Sequence, residues 1–577
     1  MFMYNQKIAA IFYEIANMLV LDKEVDRKFE VLAYRKAAQT IESLQEDVFD
    51  LYKKGGINGL MELPGIGKST ASAIEEYIST GKMVKYEKLK KLYPIDFLSL
   101  TKIQGLGAKS VFRLYQELGI KSIADLKEAV EKHRISRLNG FGEKSEDEIA
   151  KGIAQFESSK GRMLLGIALP EAEAIVKQLR DSGLVENAVI GGSTRRMRET
   201  VGDIDILVTT EKSKPVTDLF TKLSGVARII ATGPTKTTVL LSIGLTCDLR
   251  VVENKSFGAA LQYFTGNKDH NVRLREIAIK KGLKLNEYGL FDKKGKNIAG
   301  KTEEEIYEKL GMDPMPPEMR ENRGEIDLAI AHKLPDLVEL KDIKGDFHVH
   351  TDHSDGANTL EEMADAAKKL GRSYIGISDH SKNERIANGM DDKKFAVHLD
   401  QIERFQEKVN GIKILKGAEI DILKDGSLDL GNKIMDRLDY TLASIHTNLS
   451  MNREEMTKRI IAAFETGYVS IWAHPTDRII NERPPINVDL DKVFESAKDN
   501  DVTMEIDALP DRLDLSDENI FKARKYGLKF SIDTDSHSTS NFELLRYGVG
   551  MARRGWLTKN DVINTMSYDQ VMKYLKK

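Results

Sequence analysis

Six apolar runs in the last part of this 577-residue chain each stop on a histidine or a carboxylate. They are Ile343–His350 (with Lys344, Gly345 and Asp346 ahead of the first histidine), Tyr374–His380, Ile414–Glu419, Tyr440–His446, Val469–His474 and Phe530–His537. A short apolar run bounded by polar residues predicts a buried strand. Buried parallel strands that alternate with helices predict an α/β barrel, on which the strand C-termini share one functional rim. The runs therefore nominate His348, His350, Asp355, His380, Glu419, His446, His474, Asp535 and His537 as ligands of one polynuclear metal site. Two residues apart in a strand, His348 and His350 present both imidazoles to one face. Mixed nitrogen and oxygen ligands suit Mn²⁺, Fe²⁺ or Zn²⁺, and the set is large enough for about two or three ions. Such a cluster can activate a water and neutralise a phosphodiester. Asp352 and Asp379 are read as supports behind the ligands, and His353 and His398 as supporting or solvent residues.

The chain is long enough for several domains. Its net charge of -3 provides no global basic field, which argues against nonspecific coating of nucleic acid but leaves room for local basic surfaces. A single cysteine, Cys247, excludes an intramolecular disulfide and cysteine-based zinc fingers, and suits a reducing cytosol. Met1–Leu21 is apolar but interrupted by Asn5, Gln6, Lys7, Glu14 and Asn17, so it reads as an amphipathic helix rather than a signal peptide or membrane span. Of the 11 histidines only His133, His270 and His332 precede residue 340, which marks a domain boundary. The proline-containing stretch Met312–Asp336 is the natural connection there, and the linker is placed at 316–340.

Three segments near the N-terminus share a pattern of an apolar residue, a Gly-x-Gly turn and a lysine. They are Leu63-Pro-Gly-Ile-Gly-Lys68, Ile103-Gln-Gly-Leu-Gly-Ala-Lys109 and Leu138-Asn-Gly-Phe-Gly-Glu-Lys144. Glycine allows positive φ and close approach of a ligand, and the amides opening the next helix favour an anion. One such turn is weak evidence, but repetition in one chain points to a phosphate backbone. Gly65, Gly67, Lys68, Gly105, Gly107 and Lys109 are the expected DNA contacts; Glu143 weakens the third copy. Residues 1–90 carry 13 Lys and Arg against 13 Asp and Glu, so binding there would rest on oriented amides and a few lysines rather than bulk charge.

In the middle, Val189-Ile-Gly-Gly-Ser-Thr-Arg-Arg196 is followed by Val201-Gly-Asp-Ile-Asp-Ile-Leu-Val208, a strand pattern. Alternation puts Asp203 and Asp205 on one face and Ile204 and Ile206 on the other. Adjacent carboxylates repel unless a cation lies between them, and the pair suits two Mg²⁺ or Mn²⁺ ions about 3.5–4 Å apart. Asp248, in Leu245-Thr-Cys-Asp-Leu-Arg-Val251, is the expected third carboxylate from a neighbouring strand, with Cys247 turned into the core. Gly192 and Ser193 can donate to triphosphate oxygens and Arg196 can pair with them bidentately.

These segments together resemble known families. The glycine turns resemble helix–hairpin–helix DNA-binding elements, and with Ala33-Tyr-Arg-Lys-Ala37 and Thr80-Gly-Lys82 they look like the small N-terminal domain of family X DNA polymerases such as DNA polymerase beta. The Gly-Gly-Ser and Asp-x-Asp segments resemble the palm of the polymerase beta nucleotidyltransferase superfamily, with Gly202 among the nucleotide contacts. Leu261-Gln-Tyr-Phe-Thr-Gly266, Asn271-Val-Arg273-Leu-Arg275 and Leu285-Asn-Glu-Tyr288 look like the family X fingers. That resemblance implies that Tyr263 and Phe264 border the sugar and Gly266 lets it lie close to the backbone. It also implies that Asn271 reaches the minor-groove edge of the incoming base and Arg275 the template. The barrel ligands resemble those of the polymerase and histidinol phosphatase (PHP) domain, with all nine family positions filled. Two departures stand out. Ala73 occupies the position at which lyase-active relatives carry a Schiff-base lysine, which leaves only Lys36, Lys68 or another lysine for that role. Thr246 stands where polymerase beta has an arginine, so that residue's contacts near the primer end do not carry over.

The expected fold is multidomain α/β and α+β: an N-terminal helical domain at 1–92, a second hairpin domain at 93–158, a nucleotidyltransferase palm at 159–255, fingers at 256–315, the linker, and a distorted (β/α)-barrel PHP domain at 341–577. The expected function is gap-filling DNA repair synthesis by two-metal nucleotidyl transfer. Asp203 and Asp205 would bind both metals, and Asp248 would bind one and help deprotonate the primer hydroxyl. The barrel would act as a 3′-to-5′ exonuclease, with abasic-site endonuclease or 3′-phosphatase action also open. The expected partners are gapped or primed double-stranded DNA and dNTPs, with no membrane; the protein is expected to be monomeric, cytoplasmic and nucleoid-associated. Two alternatives stay open: a barrel whose metals only stabilise the fold, and a small-molecule phosphatase, which leaves the hairpins and Tyr263–Gly266 unexplained.

Overall fold

Helices with one apolar stripe build residues 1–160, which with 481–484 form one of two units; residues 161–480 and 485–577 form the other. The computed structural model describes residues 3–575 except 22–26, 45, 46, 64, 102, 104, 105 and 160. In the first unit the helices Met3–Leu19, Lys28–Ser43, Val48–Met61, Lys68–Thr80 and Val84–Leu92 enclose Ile8, Phe12, Ile15, Ala37, Ile41 and Ile74. A second core of Phe97, Val111, Leu114, Leu126 and Ile149 gathers the helices Ala108–Leu118, Ile123–Glu131 and Glu143–Ser159. The second core also takes in Met18 and Leu21 of the first helical stretch.

The second unit opens with helix Leu165–Asp181 and the strands β1 (Met163–Leu164), β2 (Asn187–Ile190), β3 (Thr200–Val201), β4 (Asp203–Thr209), β5 (Val226–Thr232), β6 (Lys236–Leu241) and β7 (Thr246–Val252). β1 pairs with β3, and the rest form one sheet in the order β2-β4-β7-β6-β5, in which only β4 and β7 run parallel. Ile204, Ile206 and Cys247 are buried in the same core as Leu165, Ala168 and Leu179 of the helix. The aspartates of β4 therefore face the opposite side.

Helices Phe257–Thr265 and Lys268–Lys280, a small antiparallel sheet of β8 (Lys284–Asn286), β9 (Gly289–Phe291) and β10 (Asn297–Ala299), and helix Glu303–Lys309 form the next layer. Its core holds Leu274, Leu290, Tyr307 and Leu310, together with Ile326 and Ala329. The expectation of a linker at 316–340 is corrected here. The stretch contains a 3₁₀ turn, Pro317–Met319, and a helix, Glu325–Ile330, whose Ile326 and Ala329 complete that core. Its Arg320 and Glu325 are buried and paired with Glu303 and His270.

The barrel strands are β11 (Gly345–Val349), β12 (Tyr374–Ile377), β13 (Lys413–Lys416), β14 (Glu419–Asp421), β15 (Leu442–Ser444), β16 (Ile471–Trp472), β17 (Thr503–Asp507) and β18 (Phe530–Asp533). All ladders are parallel, in the orders β11-β12-β13 and β14-β15-β16-β17-β18. Bridges between His380 and Glu419 and between Val349 and Ser536 join the two sheets on both sides, closing a distorted barrel. The run Ile414–Glu419 is thus two strands rather than one. It breaks at Gly417, where a Cβ would lie 2.3 Å from the Tyr440 ring. β17 was not among the six runs, because Glu505 and Asp507 interrupt its apolar pattern. The barrel and the five-stranded sheet share one hydrophobic core, in which Ile204 and Leu249 cluster with Met504, Ile506 and Tyr547.

Candidate functional site

Strand alternation and register assemble the first centre. Asp205 stands directly opposite Asp248 in the parallel ladder between β4 and β7, and Asp203 lies two residues along the same face. Burial, reinforced by the charge of Asp203, pushes the Asp205 carboxyl up to about 6. The face carries its own cations. Lys236 Nζ lies 2.7 Å from Asp248 Oδ2, Arg250 Nη2 lies 3.4 Å from the same oxygen, and Arg250 Nε lies 3.8 Å from Asp205 Oδ1. Thr238 Oγ1 donates to Asp248 Oδ1 at 2.6 Å. Sequence reasoning missed Lys236, Thr238 and Arg250. Alternation along Thr246, Asp248 and Arg250 carried the signal for the last, whereas the other two reach the face only through the register of β6 on β7.

The Gly192–Arg195 turn lies against these carboxylates. Gly192 has φ +64, and a Cβ there would lie 2.6 Å from Asp205 Oδ2, so two constraints demand glycine. Ser193 follows in the same turn, and Gly202 immediately precedes Asp203 beside Arg162. Arg196 departs from expectation. Its Nε donates to Glu321 at 3.0 Å and its Nη1 to the Thr265 carbonyl at 2.7 Å, so two of its three nitrogens are engaged by protein. Asn271 departs likewise: its amide nitrogen donates to the Tyr263 and Gly266 carbonyls at 2.7 and 3.0 Å, and its oxygen accepts from Gln262. Gly266 is confined by that side chain, since a Cβ would lie 2.6 Å from Asn271 Oδ1. Tyr263 and Phe264 meet edge to face, with the Arg250 guanidinium 4.0 Å from the Phe264 ring centroid. Arg275 is exposed.

The second centre gathers all nine barrel candidates at one rim, because parallel strands end on the same side. Glu419 lies at the middle: His348, His380, His446 and His474 approach its oxygens at 3.2, 3.0, 3.3 and 2.9 Å. Asp535 receives His348 and His350 at 3.4 and 3.2 Å, and Asp355 receives His537 at 3.4 Å. Ligand atoms converge in overlapping groups, including His350, Asp355, His380 and His537. His348 Nε2, both His350 nitrogens, His474 Nδ1 and Glu419 Oε2 are buried without a hydrogen-bond partner. Buried polar atoms are normally satisfied, so this set fits cations. His474 and Asp535 adopt positive φ of 26° and 47°, strain of the kind that clusters at functional sites.

Residues behind the ligands aim them. His348 Nδ1 lies 2.7 Å from Glu505 Oε1, and His446 Nδ1 lies 2.8 Å from Asp421 Oδ1. Glu505 also accepts the His474 backbone amide. Neither carboxylate was expected: Glu505 lies on β17, which was not among the six runs, and Asp421 follows the glutamate on which its run was ended. Asp379 accepts from Thr351 and Ser354, with His398 Nε2 3.0 Å away, which makes it and the buried His398 supports. His353 meets Gln401 nearer the surface, and Asp352 lies 3.3 Å from His353.

In the first unit Gly65 has φ +74, and its Cβ position lies 2.5 Å from the Lys36 stem. Gly67 and Gly107 stand as extended residues immediately before the helices Lys68–Thr80 and Ala108–Leu118, with Lys68 and Lys109 exposed. Gly105 lies outside the described residues. Ala73 packs against the helical core. No helix among the described residues is long and apolar enough to cross a membrane.

Residues 3–83 match the helix-hairpin-helix domain family, and residues 97–154 the SAM-like helix-hairpin-helix tandem. Residues 260–321 match the DNA polymerase beta thumb and residues 346–508 the PHP domain. The thumb match spans the segment read above as fingers and runs into the folded linker. The chain is 35% identical over 578 residues, covering 100% of both chains, to the DNA polymerase/3'-5' exonuclease PolX of Bacillus subtilis (strain 168). It is 26% identical over 353 residues to DNA polymerase lambda of Arabidopsis thaliana, covering 55% of this chain and 62% of that one. It is also 30% identical over 242 residues to a probable phosphatase of Thermoanaerobacter sp. (strain X514), covering 40% of this chain and 94% of that one.

Proposed function

This chain belongs to the family X DNA polymerases that carry helix–hairpin–helix, thumb and C-terminal PHP domains, and from that premise we propose how its two centres divide the work. It is a gap-filling DNA polymerase with a metal-dependent 3′-to-5′ exonuclease in the PHP barrel. Asp203, Asp205 and Asp248 hold the divalent ions of nucleotidyl transfer, Mg²⁺ or Mn²⁺, which supply charge neutralisation for the triphosphate and the developing alkoxide. Asp248 also serves as the carboxylate beside the primer hydroxyl. Gly192 and Ser193 bring backbone and hydroxyl donors to the triphosphate. Gly202 keeps the entrance to the aspartate face open. Arg196 joins Gly192 and Ser193 on the triphosphate by exchanging Glu321 for phosphate. Tyr263, Phe264 and Gly266 shape the sugar site, Asn271 reads the base edge after leaving its internal carbonyls, and Arg275 meets the template.

In the barrel, His348, His350, Asp355, His380, Glu419, His446, His474, Asp535 and His537 hold about two or three Mn²⁺, Zn²⁺ or Fe²⁺ ions, whose chemistry is activation of water against a phosphodiester. Glu505 and Asp421 fix the orientation of His348 and His446. The domain bounds proposed are those read from the sequence, with the stretch from 316 to 330 joined to the thumb. Gapped or primed DNA is gripped through Gly65, Gly67, Lys68, Gly105, Gly107 and Lys109. The protein works as a monomer on the nucleoid in the cytoplasm.

The observation that carries the nuclease reading is the set of buried imidazole and carboxylate atoms around Glu419 that make no hydrogen bond within the protein although they crowd together at 3.0 to 3.4 Å, the spacing of groups that share a cation. The test follows 5′-labelled primer on one-nucleotide-gapped DNA with Mn²⁺ and no dNTP, comparing wild type with His348→Ala/His350→Ala. Shortening by the wild type alone supports the nuclease; no shortening by either rejects it. The likeness to a probable phosphatase favours a second reading of the same centre, removal of a 3′-terminal phosphate, which a 3′-phosphorylated primer tests in the same assay.

A further inference from the structure

Arg554 ends the barrel helix Leu545–Arg554 and is 1% exposed. Nothing in the exonuclease chemistry calls on it. Its Nη2 donates to Asp517 of the barrel at 2.7 Å, an anchor shared with Arg323 at 3.0 Å. Its Nη1 leaves the barrel and donates to the backbone carbonyl of Arg196 at 2.8 Å and to Glu321 Oε1 at 2.9 Å. Glu321 Oε1 also accepts from Arg196 Nε at 3.0 Å. Its other oxygen accepts from Asn267 Nδ2 at 2.9 Å, and Asn267 caps helix Lys268–Lys280, which carries Asn271 and Arg275. One carboxylate therefore joins the triphosphate turn, the thumb helix and the barrel. Burial would raise its pKa, but Arg554 and then Arg196 bring it down to about 2, so it stays ionised across the working range. Close packing supports the same junction: a Cβ on Gly550, one turn before Arg554, would lie 2.7 Å from Met197.

We propose that Arg554 of the PHP barrel is a positioning residue for nucleotidyl transfer: through the Arg196 carbonyl and the Glu321 carboxylate it holds the Gly192–Arg196 turn in place for the triphosphate. This rests on the polymerase reading above. Arg554 competes with Arg196 for Glu321, so it lowers the cost of releasing the Arg196 guanidinium to a phosphate. A truncated or uncharged residue 554 leaves Glu321 with Arg196 as its main counter-charge, and the turn without its carbonyl tether. The barrel then serves the polymerase as well as its own chemistry.

The test uses full-length protein and one-nucleotide-gapped DNA, with KM for dNTP and kcat measured separately, and exonuclease activity measured on the same preparation. Arg554→Met should raise the dNTP KM about tenfold, the scale of one charge-assisted hydrogen bond, with a smaller change in kcat and an unchanged exonuclease. Arg554→Lys, which keeps a cation in the same position, should recover part of the KM. The double variant Arg554→Met/Glu321→Gln should show no more than the larger single effect if the two act as one unit. A wild-type KM in Arg554→Met overturns the proposal, as does an equal loss of incorporation and exonuclease, which would mark Arg554 as a fold contact only. A wild type that fails to incorporate at all would instead sink the polymerase reading beneath it.

Discussion

The palm face and the barrel rim both concentrate carboxylates, yet they neutralise them in opposite ways. In the palm, Lys236 and Arg250 supply cationic head groups to Asp248 and Asp205, and Asp203 is exposed. Such a face can exchange its internal cations for a metal–triphosphate complex that arrives with each substrate. In the barrel, Glu419 and Asp535 are met by imidazoles, several with an orphaned nitrogen, in a buried cage held by Glu505 and Asp421. A lysine ammonium or an arginine guanidinium has no lone pair to offer a metal, whereas neutral imidazole has. The difference is one of chemistry: the palm carboxylates are already answered by side-chain cations, whereas the barrel presents imidazole nitrogens that can ligate a metal.

The contrast breaks most severely if the two centres are not independent. Asp205→Ala should lower dNTP incorporation by about 10³-fold or more, since metal stabilisation of the transition state is worth several kcal/mol, while exonuclease persists. Loss of both in a primer-extension and primer-degradation pair would contradict separate sites. In the converse experiment, His348→Ala/His350→Ala should reduce 3′-end degradation by about 10²-fold or more and leave incorporation within about twofold of wild type. Degradation that survives this change places the nuclease elsewhere.

Stability sharpens the comparison next. Asp205 is raised to about 6 by burial and then by Asp203, so between its unfolded value and pH 6 the folded chain binds more protons than the unfolded one. Its contribution to stability is present at low pH and is lost as pH rises through about 6. In divalent-free buffer at pH 7.5, Asp205→Asn should therefore raise the melting temperature, by the equivalent of roughly 3 kcal/mol, and the gain should shrink as the pH falls from 6 toward 4. A pH-independent gain would show that Asp205 carries no such strain. The smallest expected effect concerns the barrel cage: Glu505→Gln should weaken metal binding or exonuclease by about tenfold, the usual scale for a residue that orients a ligand, with incorporation unchanged. Titration of metal content against nuclease rate checks it, and an unaltered metal affinity with full activity would make Glu505 a packing residue.

Much of this architecture was legible from the chain. The barrel strands announced themselves because a strand buried on both faces must be apolar along its length, and a histidine at its end then stands out. The Asp203–Asp205 face followed from the two-residue period of β4. Strand β17 escaped the same logic because Glu505 and Asp507 break its apolar run, and Glu505 is tolerated there because it holds His348 and the His474 amide. The stretch 316–340 looked like a linker because its prolines and the shift in histidine content marked a boundary; Arg320 and Glu325 instead find Glu303 and His270 in the interior. Arg196 and Asn271 were placed on the substrate by their motifs, and only the fold revealed the carboxylate and carbonyls that hold them.

By itself, then, the sequence determined which segments carry chemistry, because periodicity and residue type act between near neighbours in the chain. The tertiary structure decided which charge answers which. Lys236 meets Asp248 through strand register, His348 meets Glu505 across 157 residues, and Arg554 meets Arg196 across 358. Such pairs form only when packing removes water from both partners, and no local pattern in the chain encodes that.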